Sequence, residues 1–249
     1  MMSRRTVWAG WAVWAAWLTG GPATAQTPAE PATLSAAPLP LEDLAPEVRA
    51  RVRAVLDQPT YRTRGRVETF TCQPSVYYWL LDHPDLAVRL WRLLGAKCTD
   101  ILPEGDDRFV WKDGPSSIHW DTVLKRPGLR VWYAEGEVRA GHLLPAAAVK
   151  AVAVLRYTDG QLKDGRPSLQ HQVELTLHTD SRAVALATRI LGASAPRAGE
   201  QVVGQIEMFY AALAWYLDQH PRHAEALFEQ LRRPASTDAP IKPAPKTGG

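Results

Sequence analysis

The pattern of hydrophobic and polar positions divides the chain into a helical start, an alternating middle and a helical end. Val48, Val52, Val55 and Leu56 recur at helical spacing behind Pro46, which suits a first helical turn, so a short helix is predicted over Pro46–Leu56. Gly65–Cys72 alternates Val67 and Thr69 against Glu68 and Phe70 and reads as a strand. Two helical pieces follow. One starts near Pro74 and carries Val76, Tyr77, Leu80 and Leu81; the other starts at Pro84, sets Leu86, Leu90, Leu93 and Leu94 on one side, and stops at Gly95.

From Lys97 to Thr179 the helical period gives way to six alternating segments: Lys97–Leu102, Arg108–Lys112, Ser116–Leu124, Leu129–Arg139, Ala148–Tyr157 and Ser168–Thr179. The breaks between them, such as Asp113-Gly114-Pro115 and Arg126-Pro127-Gly128, are short, which indicates an antiparallel meander. Side chains two apart share a face. Ile118, Trp120, Thr122 and Leu124, then Trp132, Ala134 and Val138, then Val173, Leu175 and Leu177 form the expected core or cavity face. His119, Asp121, Glu135, Glu137, Arg139, Gln172 and Glu174 form the face expected to meet water. Helix returns at Asp180-Ser181 and runs through Ile190 to Gly192. A longer helix spans Pro196 to about His220, with Val202, Ile206, Phe209, Leu213, Tyr216 and Leu217 three and four apart, and Pro221 ends it.

The ends have a different character. Arg4 and Arg5 precede an uncharged apolar run from Val7 to Leu18, too short to span a bilayer, and Ala23-Thr24-Ala25 supplies a small-x-small cleavage pattern. Residues 1–25 are therefore expected to be a signal peptide, cleaved after Ala25, and the rest a periplasmic or secreted protein with no membrane span. Residues 26–45 read as a disordered linker, 46–230 as one domain, and 231–249 as a disordered proline-rich tail. Losing Arg4 and Arg5 takes the formal net charge from +3 to +1, which leaves no basic surplus for nucleic acid.

Strand, two short helices, six antiparallel strands and a long final helix: this order resembles the helix-grip fold of the START-like, or SRPBCC, superfamily. The resemblance covers about residues 65–220 and includes the stretch Arg108–Trp120, which looks like a turn between two strands of such domains. It implies an α+β domain in which a curved antiparallel sheet of about seven strands wraps around a long C-terminal helix. It also implies an apolar cavity between them, for lipids or other small hydrophobic molecules. In that arrangement the first strand pairs with the second, which would bring Cys72 beside Cys98; export into an oxidising compartment favours their joining as a disulfide, against two buried thiols.

Candidate chemistry is sparse. Trp111, Trp120, Trp132, His171, Phe209 and Leu213 are the candidate ligand-binding residues, on the inner face of the sheet and on the final helix; packing against that helix explains the tryptophans equally well. The seven histidines lack cysteine or carboxylate partners at ligand spacing, so no metal site is expected, nor any cofactor. His119 and Asp121 share the polar face, where exposure is the expected state, and Glu68 is ambiguous. No phosphate loop, nucleophile elbow or zinc-protease helix is present. Three readings follow: a binding protein for a small hydrophobic or lipid-like molecule, a cyclase- or hydrolase-type enzyme on the same scaffold, and a filled-core domain that meets envelope partners.

Overall fold

The computed structural model describes Leu34 and residues 37–139, 146–180 and 194–232, with backbone alone for 194–201. The expected signal peptide, the turn at 141–145, the helix at 181–192 and the tail beyond residue 232 lie outside the described residues, as does the linker up to residue 36 apart from Leu34.

Eight strands make one antiparallel sheet. They are β1 (Tyr61–Arg64), β2 (Glu68–Thr71), β3 (Ile101–Gly105), β4 (Arg108–Asp113), β5 (Ser116–Arg126), β6 (Leu129–Val138), β7 (Ala147–Gln161) and β8 (Pro167–His178). The helices are α1 (Pro46–Asp57), α2 (Pro74–Asp82), α3 (Pro84–Leu93), α4 (Ser194–Gln219) and α5 (Pro221–Leu231). From β3 to β8 each strand pairs with the next, and β8 carries both β1 and β2 on its free side. The meander is set by its turns. Pro127 and Gly128 alone join β5 to β6, with Gly128 at φ +74°, the proline-then-glycine order of a tight turn.

This is the helix-grip arrangement, an α+β domain whose curved antiparallel sheet holds the C-terminal helix on its concave side. α4 packs on β1, β2 and β8 and on α2, while α5 turns back at Pro221 to meet α3. Its buried stripe, Val203, Leu213, Ala214 and Leu217, joins Tyr77, Leu80 and Leu90 from α2 and α3 and Leu155, Leu169 and Val173 from the sheet. Each fully buried leucine or valine in this set contributes about 1.5–3 kcal/mol of transfer free energy.

Several expectations are corrected. The strand expected over Gly65–Cys72 is shorter, β2 over Glu68–Thr71, and a further strand, β1, precedes it across the break at Gly65–Val67. They pair with β8 and not with β3, so the two cysteines flank opposite edges of the sheet. Cys72 follows β2 and is fully buried; Cys98 precedes β3, with Sγ 3.8 Å from the Val88 carbonyl oxygen. The Cys72–Cys98 disulfide is accordingly not formed, and both thiols are free.

The convex face is not left to water either. Leu44, Val52 and Val55 pack there on Val131, Tyr133, Val152 and Val154, with Leu39 and Leu41 from the stretch read as linker. A bulge between Thr122 and Leu124 moves Leu124 to this convex cluster, away from the inner face assigned to it by alternation. Pro221 does end α4, but as the first residue of α5, whose Ala224, Leu227 and Leu231 are buried.

Candidate functional site on the concave face

The inner face divides into a half that lies under α4 and α2 and a half floored by small residues. On the packed side, β8 and β2 lie under α4 and α2, and polar groups are buried among the apolar ones. On the other side the floor is made of small residues, Ala134, Gly136, Ala151 and Ala153. Gly136 is required, since a Cβ there would overlap the Ser117 carbonyl oxygen across the β5–β6 pair. Around this floor stand Ile118, Trp120 and Leu177 from the sheet and Ile206 and Phe209 from α4, every one of them half-buried. Phe109 stacks on Trp120 with centroids 5.7 Å apart, and Trp91 of α3 donates from Nε1 to the Phe209 carbonyl oxygen at 3.0 Å. Two walls are thus fixed, one on β4 and β5 and one on α4.

Of the candidate residues, Trp120 and Phe209 border this apolar surface, and Trp111 shares its face through pairing with Ile118 but lies farther out on β4. Trp132 is buried beneath α4, its ring parallel to that of Tyr210 with centroids 6.4 Å apart. Leu213 is wholly buried in the core. His171 is also wholly buried, on the packed half, with Nδ1 2.7 Å from the Tyr77 hydroxyl and Nε2 3.5 Å from a Glu68 carboxylate oxygen. Phe70 meets its ring edge-on. His119 sits where its strand position predicts, exposed on the convex face beside Glu104.

Sequence reasoning missed Glu207. It lies on the buried stripe of α4, four residues after Val203 and three before Tyr210, and is 2% exposed. Its Oε1 accepts the Val173 amide at 2.8 Å. Room for the carboxyl comes from the break between β1 and β2: Gly65 faces it, and a Cβ there would overlap both carboxyl oxygens. Beyond Gly65, two residues oppose one on β8, so Glu68 returns to the inner face opposite His171. Burial pushes the Glu207 carboxyl up to about 7, with the nearby Glu68 charge adding to the rise and the Val173 amide opposing it. Glu68 moves the other way, held below the usual carboxylate range by hydrogen bonding to His171. The detectable signal was the charge itself: Val203, Glu207, Tyr210, Ala214 and Leu217 keep helical spacing, and an acid on that line needs a partner. The assumed stripe was rotated by one residue at its start, since Val202 is 45% exposed and Val203 is buried.

Glu207 and Glu68 are thus driven in opposite directions, one by burial and one by its hydrogen bond to His171. Tyr210, one turn along from Glu207, has no hydrogen-bond partner for its hydroxyl among the described residues, and burial raises its pKa. No group of three metal-ligating side chains occurs among the described residues.

No family model and no curated protein matches the sequence. Among solved structures, the chain is similar to a conserved protein from Geobacillus kaustophilus, at 15% identity over 62% of this chain and 93% of that one, with a TM-score of 0.39. It is similar to Ara h 8.0201, at 14% identity over 63% and 97%, TM-score 0.37. It is also similar to norcoclaurine synthase from Thalictrum flavum, solved with dopamine and hydroxybenzaldehyde, at 14% identity over 56% and 83%, TM-score 0.34. At these identities the likeness concerns the course of the chain and says nothing of ligand or chemistry.

Proposed function

We propose that the protein binds a small hydrophobic molecule on the small-residue half of the concave face, and that it does so outside the cytoplasm. One observation carries the reading. A floor of alanine and glycine lies beneath Trp120, Leu177, Ile206 and Phe209, an apolar set that packs on the core yet stays half-buried among the described residues. The export part rests on Arg4, Arg5, the apolar run and Ala23-Thr24-Ala25. The neutral fluorophore N-phenyl-1-naphthylamine tests the site. Saturable enhancement is expected with the unaltered protein, and at least a tenfold weaker affinity in Ala153→Phe, which raises the floor. Absence of saturable uptake, or equal uptake by the variant, refutes the reading.

The Glu207, Glu68 and His171 group favours a second reading, proton-transfer chemistry of the cyclase or hydrolase kind on the same scaffold. A Glu207→Gln variant that still binds the fluorophore but no longer turns over a substrate found by screening would support it; equal turnover by the variant would remove it.

A further inference from the structure

The buried stripe of α4 carries one phenol among its apolar positions, Tyr210, between Glu207 and Ala214 at helical spacing. Its ring is held on three sides. It lies parallel to that of Trp132 with centroids 6.4 Å apart, and meets Phe209 edge-on at 4.9 Å and Tyr77 edge-on at 6.5 Å. Trp132 pairs with Ala153 of β7 and shares its face of β6 with Ala134, so Tyr210 stands at the margin of the small-residue floor. Resting on the reading of that floor as the ligand surface, we propose that the Tyr210 hydroxyl is the polar contact of the site, and that the molecule bound there is apolar except for a neutral carbonyl group that accepts its hydrogen bond.

The hydroxyl stands apart from the other tyrosine hydroxyls. Tyr77 is paired with His171, Tyr78 with Asp159, Tyr133 with Glu135, Tyr157 with the Arg126 carbonyl oxygen and Tyr216 with His223. Tyr210 has no hydrogen-bond partner among the described residues, although its ring is packed between helix and sheet. Its oxygen is not sealed in, as the unpaired amide oxygens of Gln170 and Gln230 are, and so it can be reached by an incoming group. A phenolic O–H inside a protein ordinarily finds an acceptor, and here the protein supplies none.

The chemistry of the acceptor follows from the surroundings. Burial raises the Tyr210 pKa with no charge of either sign contributing, so the group is a donor at neutral pH. An anionic oxygen would be buried there without a cation, and the ionisable neighbours on that side, Glu207 one turn back and Glu68 near it, are acids. A carbonyl oxygen needs only the donor. The donor is also fixed in place: Glu207 accepts the Val173 amide at 2.8 Å, which anchors this part of α4, and the carbonyl oxygen of the adjacent Phe209 accepts Trp91 Nε1 at 3.0 Å. The hydroxyl is therefore positioned before a ligand arrives.

Displacement of N-phenyl-1-naphthylamine, its own affinity being measured for each protein, tests the proposal with 2-acetonaphthone and 2-ethylnaphthalene, two ligands of one shape that differ by the carbonyl oxygen. The unaltered protein should bind the ketone at least as tightly as the hydrocarbon, although water holds the ketone better. Tyr210→Phe keeps the ring and should weaken the ketone about fivefold to tenfold, the worth of one hydrogen bond, with the hydrocarbon unchanged. The same ratio of affinities in the two proteins overturns the carbonyl assignment and leaves the apolar site standing. No uptake of the fluorophore or of either ligand removes the site and the assignment with it. Should Tyr210→Phe fold poorly, the carbonyl stretch of 2-acetonaphthone bound to the unaltered protein decides: a frequency below that in hexane supports the hydrogen bond, and the hexane value overturns it.

Discussion

Replacing Glu207 by glutamine should change how stability depends on pH. In the folded protein the Glu207 carboxyl sits at about 7 instead of its ordinary 4.5, mainly because burial disfavours the charged form. Between those values the native state binds more protons than the unfolded chain, so stability is fully present below 4.5 and is lost as pH rises through 7. A displacement of that size corresponds to about 3 kcal/mol as a ceiling, and water reaching past the half-exposed Glu68 lowers it. Glu68 has the opposite sign: its pKa is depressed, so its contribution is lost only as pH falls below the ordinary carboxylate range, outside the same window. Urea denaturation at pH 5, 6, 7 and 8 should therefore show the midpoint falling with pH in the unaltered protein and a flatter profile in Glu207→Gln. The glutamine oxygen can still accept the Val173 amide, so the two proteins should be closest at pH 5 and differ most at pH 8, the variant being the more stable. Parallel profiles, or an unaltered protein that gains stability from pH 5 to 8 relative to the variant, would refute the account of Glu207 as a buried acid without a compensating cation.

Gly65→Ala should destabilise by about 1–3 kcal/mol, because its Cβ must displace the Glu207 carboxyl. The same change in a Glu207→Ala background should cost much less, and equal costs in the two backgrounds would separate the glycine from the carboxyl. Mass spectrometry of non-reduced native protein should find two free thiols. Alkylation should reach half-buried Cys98 well before Cys72, whose thiol burial pushes up to about 12, and a mass two hydrogens lower with no alkylation would mean that the thiols are joined.

The order of elements was legible because each has its own period: proline-led helices at Pro46, Pro74 and Pro84, and alternation broken by Gly114 and Pro127-Gly128. Alternation could not reveal what interrupts it. The bulge at Thr122/Leu124 sends Leu124 to the far face within its own hairpin, and the break after Arg64, which sets β1 apart from β2, depends on pairing with β8, distant in sequence. Strand pairing was misassigned because of that same distance. Nothing local in Gly65–Cys72 records that its partner is Ser168–Val173, a hundred residues on, and the expected disulfide inherited that error. Nor did the convex face announce its cover, since Leu39, Leu41 and Leu44 precede the first long helix in a stretch whose composition reads as linker.

Gly65 and Glu207 explain each other, and together they account for the division of the concave face. A carboxyl on the inner side of α4 has to find a donor that the sheet has not already used. β8 offers the Val173 amide opposite Gly65, where the edge strand breaks and leaves the space of a side chain. With the carboxyl seated there, α4 is anchored over β1, β2 and β8, and Tyr210, one turn on, lies against Trp132. The helix is thereby held over β1, β2 and β8, and Trp120, Ala151 and Ala153 pack at the margin of the core, half-buried. A break in the edge strand, a cost to the sheet by itself, thus positions the helix beside the half-buried apolar surface, and the surface proposed for the ligand depends on a glycine and an acid that lie apart from it.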